Sequence, residues 1–463
     1  MPDPFSLLPL AIAAHGGRID EFESQQLVAA GLTLLRRSAP LVRALAGRRS
    51  AILLPPSPHF YVALAASEGR GAVLIDPLAT EYEIAHQIGD ANVGAVFTNG
   101  TLATRVPRDL TRVLLDAAPW SAHVIANGIG RDVDLGSHAG LALEGEIDAT
   151  GSSEEAAIVY TSAMRGVPLG AVLSHRNLLA NARSAIVAGQ VTNDDTVLAV
   201  LPFSYLFGLT VAANAPLLTG ARVVTMDRFH PAQAVQLISS GGITQIVGVP
   251  AVFRELLGAC ERRGARAIGD LRLCICGGAP LSAALQDRWA DATGVELRQV
   301  YGLTEGGPIC LFNRVDRPNA RGTLGVALPG VDVRIDRDEI CVRGDNVFTG
   351  YVSGDDAGLE VNAGWLRTGD RGRANADGTI SFAGTMKPMF MRNGFNVYPA
   401  EIERAVRGLP GVAAVNVRSV DAGEGRDADI ELEVRGTVSA DEVRRWCADR
   451  LSASKQPSRI SVA

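Results

Sequence analysis

The chain has 463 residues, 47% hydrophobic and 20% charged, which places it among ordinary globular proteins and makes it too long for a single core. Its 44 basic and 50 acidic residues leave a formal net charge of −6, and with no basic run or aromatic platform this argues against nucleic acid as a partner. The opening text MPDPFSLLPLAIAAHGG lacks a cationic start, carries Asp3 and holds an apolar run far shorter than a membrane span, so a cytoplasmic protein with no membrane role is expected. Six cysteines, Cys260, Cys274, Cys276, Cys310, Cys341 and Cys447, lie mostly in apolar text without zinc-type pairing to histidines and read as buried free thiols.

From about residue 49 short apolar runs alternate with amphipathic stretches, the pattern of a parallel sheet wrapped by helices. Residues 50–55, 72–75 and 94–97 are predicted strands, with helices over 61–67 and 81–89. After a loop that begins at Tyr160 the pattern resumes, with strands over 197–201, 222–225 and 243–247 and helices over 209–217, 231–239 and 251–262. Residues 271–276 add a strand, GGAPL (277–281) a tight turn, and a helix follows through 291. From Gly322 the text turns to short strands and Gly-rich turns, a small β unit. Beyond Lys387 it becomes α+β, with helices over 399–407 and 440–451 and strands over 412–417 and 430–434. No internal repeat or low-complexity tract occurs.

The stretch YTSAMRGVPLGAVLSH, residues 160–175, carries the most chemistry. A loop cradles phosphate with closely approaching backbone N–H groups, glycines that permit the approach, hydroxyl donors and a cation. This stretch resembles the phosphate loop of the adenylate-forming superfamily, on its acyl-CoA synthetase branch, where the usual pattern is Y-T-S-G-(S/T)-T-G-x-P-K-G. In Thr161, Ser162, Ala163, Met164, Arg165 and Gly166 the first glycine has become Ala163 and the hydroxyl pair Met164 and Arg165; the lysine has become Leu169.

Five further segments resemble superfamily signatures in the same order, over about two thirds of the chain. LPFSYLFGL (201–209) resembles the acyl-pocket signature, which implies a pocket built from Tyr205, Phe207, Gly208, Val249, Gly306 and Gly307, the last two leaving room for a bulky acyl group. CGGAPL (276–281) resembles the adenine-platform turn, implying that Gly277, Gly278 and Ala279 hold AMP. YGLTEGGP (301–308) implies AMP contacts from Tyr301, Gly302 and Thr304, with Thr304 at the α-phosphate and Glu305 holding Mg²⁺ where it is bound. GWLRTGD (364–370) implies that Asp370 accepts hydrogen bonds from both ribose hydroxyls. GTMKPMFMRNGFNVYPAEIE (384–403) resembles the hinge signature, with Lys387 as hinge and Gly394 beside the thiol tunnel.

The individual residues have plainer readings. Asp370 could stabilise a turn and Glu305 could be a solvated acid. Tyr301 and Tyr205 fit core packing as well as a ligand cavity, and His175 reads as a satisfied histidine at a helix start.

The departures sort by half-reaction. Adenylation expels pyrophosphate and needs the triphosphate cradle and cations, whereas thioester formation needs only the AMP part held, the acyl group positioned and a thiol admitted. The residues implied for AMP remain, while the arginine of the family's G-R-x-K-D hinge pattern is Thr385. The end LSASKQPSRISVA, with a Y-K-x-P-like segment at 454–457, is expected to stop before the family's late lysine and to lack its terminal strand. Pro388 disfavours the α region for Lys387, which suits an enzyme that uses one lid pose.

The expected fold is therefore α/β: the adenylate-forming two-domain fold, with a large N-terminal body of two α/β sheets plus a small β unit (1–386) and a shortened α+β C-terminal lid (387–463). The implied activity is thioesterification of a preformed acyl adenylate with coenzyme A, releasing AMP, with Mg²⁺ left open. A separate adenylating enzyme would supply the acyl-AMP, as for non-adenylating CoA ligases of platensimycin-type antibiotic pathways. A complete ATP-dependent acyl-CoA or acyl-carrier-protein ligase and a catalytically silent scaffold stand as alternatives.

Overall fold

The computed structural model describes residues 8–67, 71–116, 120–136, 155–161, 166–263, 269–354, 359–392, 395–420 and 428–463. Within these, two nine-stranded sheets form the large body. The centre of the first runs Leu297–Tyr301, Leu273–Cys276, Gln245–Gly248, Thr196–Ala199, Arg222–Thr225, all parallel. The centre of the second is Glu155–Thr161, Ala72–Leu74, Arg49–Ile52, Val93–Thr98, Thr111–Leu114, also parallel. Antiparallel strands extend both sheets at their edges, among them Leu169–Ser174, which pairs with Glu155–Thr161.

The second sheet shows why its strands read as unbroken apolar runs. Ile52 and Leu54 face the main core, while Ala51 and Leu53 face a separate cluster containing Ile84 and Ile88 of the helix Glu81–Asp90. With both faces covered there is no polar side to alternate with. The helices stop and start on local chemistry. Thr80 and Glu83 close a capping box on Glu81–Asp90, and Ser174 with Asn177 does the same for His175–Gly189.

Most predicted elements are present, with two corrections. The expected helix over 209–217 begins as a π-helix, Gly208–Asn214, in which the Ala215 N–H reaches back five residues to the Thr210 carbonyl. A run of seven apolar and small residues carries too little periodicity to separate the two windings. The terminal strand expected to be missing is present. Arg459–Val462 pairs in parallel with Asp429–Gly436, its Ile460 and Val462 packing on the core of the C-terminal unit.

The small β unit comprises Val331–Asp336, Glu339–Gly344, Val361–Asn362, Trp365–Ala374 and Ile380–Thr385. Beyond it, Val397, Ile402, Val406, Ile430, Leu432, Val434, Val443 and Cys447 form a core of their own. Strands Val412–Val420 and Asp429–Gly436, with helices Pro399–Arg407 and Ala440–Arg450, enclose that core. All six cysteines are free and buried, as expected. Among the described residues no helix is long and apolar enough to cross a membrane.

Candidate active site

Successive parallel strands of the first sheet end along one edge, so the residues that follow them meet there. Gly277 follows Leu273–Cys276, Val249 follows Gln245–Gly248, and Gly302 follows Leu297–Tyr301. A side chain at Gly277 would start 2.4 Å from Val300 and 3.3 Å from the Phe207 ring, and one at Gly278, where φ is +76°, would start 3.4 Å from Val249. The fold thus brings Gly277 and Gly278, implied for AMP, against Phe207 and Val249, implied for the acyl pocket, with Ala279 half-buried beside them. Gly302 lies so close to the Pro308 carbonyl that a Cβ would sit 2.1 Å from its oxygen. Gly208 is similarly tight, 2.6 Å from the Pro202 carbonyl oxygen. The missing side chains of Gly306 and Gly307 make room for Cys310 and the Asn346 backbone, so their smallness serves the turn's own packing. Cys310 is buried and its thiol is pushed up to about 12, which leaves it a poor nucleophile.

Asp370 lies within the strand Trp365–Ala374 rather than in a turn, and is 8% exposed. The Tyr301 hydroxyl donates to its Oδ2 at 2.9 Å, and Lys387 Nζ sits 3.3 Å from Oδ2 and 3.3 Å from Oδ1. Burial first, then the Asp370 charge, pushes the Tyr301 phenol well above its ordinary pKa, so it stays a donor. Lys387 is placed by its neighbours. The Thr385 hydroxyl and the Met386 N–H both donate to the Gly369 carbonyl, and the Lys387 N–H donates to the Thr385 hydroxyl oxygen.

Glu305 is 6% exposed, which rules out a solvated surface acid. It lies in the short 3-10 turn Thr304–Gly306 and accepts at Oε1 from Tyr351 at 2.8 Å and from Thr161 at 3.4 Å. Oε2 makes no hydrogen bond to a described residue. Among the described residues no cluster of three or more His, Cys, Asp or Glu is placed to hold a metal. A Mg²⁺ here would rest on Glu305 Oε2 and on ligand phosphates, a usual arrangement for that ion. His175 is buried, and its Nδ1 accepts from the Leu8 N–H.

The C-terminal unit borders the other side. A Cβ at Gly166 would lie 2.7 Å from the Ala400 carbonyl oxygen at the start of the lid helix Pro399–Arg407. Tyr398, which precedes that helix, is 6% exposed; burial first, then Glu305 and Asp370, pushes its phenol pKa up. Lys455 bridges Glu83 of the body, at 3.0 Å, and Glu401 of the lid, at 2.6 Å. Beside them the Tyr205 phenol is pushed up by burial and then by Asp76 and Glu83, so the implied acyl-pocket tyrosine adjoins the lid interface. Sequence reasoning missed Tyr351, Glu83 and Asp76, and Lys455 had no assigned role. Glu83 and Lys455 lie 372 residues apart, and no spacing pattern signals such a pair. Ser162, Ala163, Met164, Arg165 and Gly394 lie outside the described residues.

The sequence profile of the family described as AMP-binding enzyme matches residues 41–352. A CoA ligase for a methyl-dioxo-octahydroindenyl-propanoyl group from Rhodococcus jostii (strain RHA1) is 32% identical over 311 residues, 65% of this chain and 60% of that relative, so the match spans less than two thirds of its length. A malonyl-CoA ligase in a ternary product complex with methylmalonyl-CoA and AMP is 26% identical and superposes with a TM-score of 0.78 over 97% of this chain and 96% of its own. ATP-bound MatB from Rhodopseudomonas palustris, also 26% identical, superposes at 0.68 over 99% and 95%. The profile spans the signatures at 160–175, 201–209, 276–281 and 301–308: the chain belongs to the AMP-binding enzyme family, the adenylate-forming superfamily that contains the acyl-CoA ligases.

Proposed function

We propose that the chain makes acyl-CoA thioesters from preformed acyl adenylates and that its own ATP-dependent adenylation is weak or absent. One observation carries this reading. Leu169 pairs directly across from Thr161 at the phosphate loop, so the position where the family places a lysine presents an aliphatic side chain, while Asp370 and Tyr301, which the resemblance assigns to AMP, are retained and joined by a hydrogen bond. Losing one preorganised electrostatic donor costs about 10²–10³ in rate.

In this reading Asp370 accepts from the ribose hydroxyls, and Gly277, Gly278 and Ala279 border the adenine. Thr304 meets the α-phosphate, and the lid pivots at Lys387, with 387–463 as the mobile domain and Gly394 at the thiol tunnel. The CoA sulfur attacks the mixed-anhydride carbonyl; the C–S bond forms, the C–O bond to phosphate breaks, AMP leaves with the electron pair and the thiol proton passes to solvent. The neutral phenols of Tyr301 and Tyr398 serve as donors, not bases.

A complete ATP-dependent ligase is the second reading, favoured by Glu305, whose Oε2 makes no hydrogen bond to a described residue, and by relatives named as ligases. Two assays separate the readings. Acid-dependent exchange of pyrophosphate into ATP, over aromatic, aliphatic and polycyclic acids, is expected to be negligible. Synthetic acyl adenylate plus CoA is expected to yield thioester, and Asp370→Ala to abolish it. Robust exchange with any acid refutes the half-reaction reading and establishes the complete ligase.

A further inference from the structure

The chain contains only two lysines among its 44 basic residues, and both are buried in ion pairs: Lys387 on Asp370 at the hinge, and Lys455 at the lid interface. Lysine is seldom buried unless paired, and here every exposed cation is an arginine. Lys387 has a made-to-measure seat. Its side chain is 9% exposed, and its stem runs over Gly369, where φ is +70° and a Cβ would lie 3.0 Å from Lys387 Cγ. The ammonium then spans both oxygens of Asp370, and Tyr301 takes a further position on Oδ2.

A carboxylate offers about four acceptor sites. Lys387 and Tyr301 fill three of them, and two ribose hydroxyls need two. The Tyr301 contact is the shorter, at 2.9 Å from a donor fixed at the end of a strand, whereas both ammonium contacts are 3.3 Å and end a flexible stem, so the ammonium is the group that yields. Resting on the reading above that Asp370 receives the ribose, we propose that the Lys387 ammonium and the nucleotide ribose compete for the Asp370 carboxylate, so that nucleotide occupancy releases the hinge side chain and an empty site clamps it. The lid is then held at its pivot between turnovers and freed when adenylate or AMP is bound. Coupling of this kind is reciprocal: whatever removes the ammonium tightens the nucleoside.

Adenosine is the probe, because it carries the ribose without phosphate charge. Lys387→Met keeps the stem over Gly369 and removes the competitor, and is expected to bind adenosine about tenfold tighter by calorimetry, one charge-assisted hydrogen bond's worth. Lys387→Arg keeps the cation and is expected to stay near wild type. In the wild-type protein adenosine is expected to raise acylation of the Lys387 amine by an amine-selective reagent several-fold. Lys455, read in the same mass spectrum, is expected to stay unchanged. Equal or weaker adenosine binding by Lys387→Met, or Lys387 labelling that adenosine leaves unchanged or lowers, overturns the competition even if the site binds nucleosides. Wild-type protein that binds neither adenosine nor AMP, or binds them undiminished after Asp370→Ala, overturns the nucleotide reading of Asp370 and the competition with it.

Discussion

Lys455 is the second largely buried lysine, and its ion pairs predict how firmly the C-terminal unit rests on the body. The ammonium lies between Glu83 and Glu401, and the three side chains are 15%, 10% and 7% exposed. Removing one partner of a buried ion pair costs about 3–5 kcal/mol, because the remaining charge is left uncompensated. Lys455→Met would strand two carboxylates, one of which, Glu401, already has an unpartnered Oε2. Of the two Lys455 contacts, the one to Glu83 joins the C-terminal unit to the body, where Glu83 Oε1 also accepts from the Ser452 N–H at 3.4 Å; Glu401 belongs to the C-terminal unit itself. Glu83→Gln therefore isolates docking, and glutamine can keep the capping contact with the Thr80 N–H that Glu83 makes at 2.8 Å.

Glu83→Gln is expected to weaken docking by about 1.5–3 kcal/mol, the worth of one charge-assisted hydrogen bond. Lys455→Met is expected to cost more, within the range given for breaking a buried pair. Arg450, stacked 3.3 Å from the centre of the Trp446 ring and 5.7 Å from that of Tyr82, would remain as a residual contact between the lid helix and the body. The assay is an interdye distance between body and lid, read beside thioester formation from acyl adenylate. Both variants should lengthen the distance and slow thioester formation while leaving adenosine affinity in place, and the double variant should fall short of the sum. Strict additivity, or an unchanged lid distance, would refute the latch. Burial opposes the Lys455 charge, but Glu401 and Glu83 outweigh it and hold its pKa above the ordinary 10.5. Its contribution is therefore complete below that value and disappears only as pH climbs beyond it.

Two further predictions test the surroundings of the site. Burial, ahead of the Leu78 N–H contact and the nearby charges of Glu83, Lys455 and Arg105, raises the Asp76 pKa, so ionising it works against the fold. Asp76→Asn, measured by thermal unfolding, should gain stability over wild type as pH rises from 4 to 8, and no pH trend in the difference would contradict the assignment. Tyr351→Phe deletes a donor to buried Glu305 and an acceptor for the Leu359 N–H at 3.1 Å. It should lower stability by about 1.5–3 kcal/mol in denaturant titration, and a change within about 0.5 kcal/mol would mean that water replaces the phenol.

What could be read from the sequence follows from how far each interaction reaches along the chain. Strands such as Arg49–Ile52 and Gln245–Gly248 were legible because burial on both faces makes a continuous apolar run, a property of a few adjacent residues. The turns holding Gly277, Gly278 and Gly302, which follow Leu273–Cys276 and Leu297–Tyr301, were legible through their resemblance to superfamily signatures. The winding of Gly208–Asn214 was not, since it depends on packing against Pro202 and neighbouring strands more than on its own period. The strand Arg459–Val462 was not either, being four residues long with half-exposed side chains.

Side-chain pairing was the least legible layer. Tyr301 and Asp370 are 69 residues apart, Tyr351 and Glu305 46, and Lys455 and Glu83 372. A sequence with two lysines nonetheless holds a clue, because composition biased so strongly to arginine leaves a reason needed for each exception. Arginine presents a planar fork that wants lateral room and several acceptors in its plane, whereas lysine ends in a compact ammonium on a slender stem. The groove over Gly369 accepts a stem whose Cγ lies 3.0 Å from the space of a Cβ, and the gap between Glu83 and Glu401 accepts a single nitrogen at 3.0 and 2.6 Å. Both places lie at the junction between the C-terminal unit and the body, so the exceptions to the chain's arginine habit mark the contacts between the two.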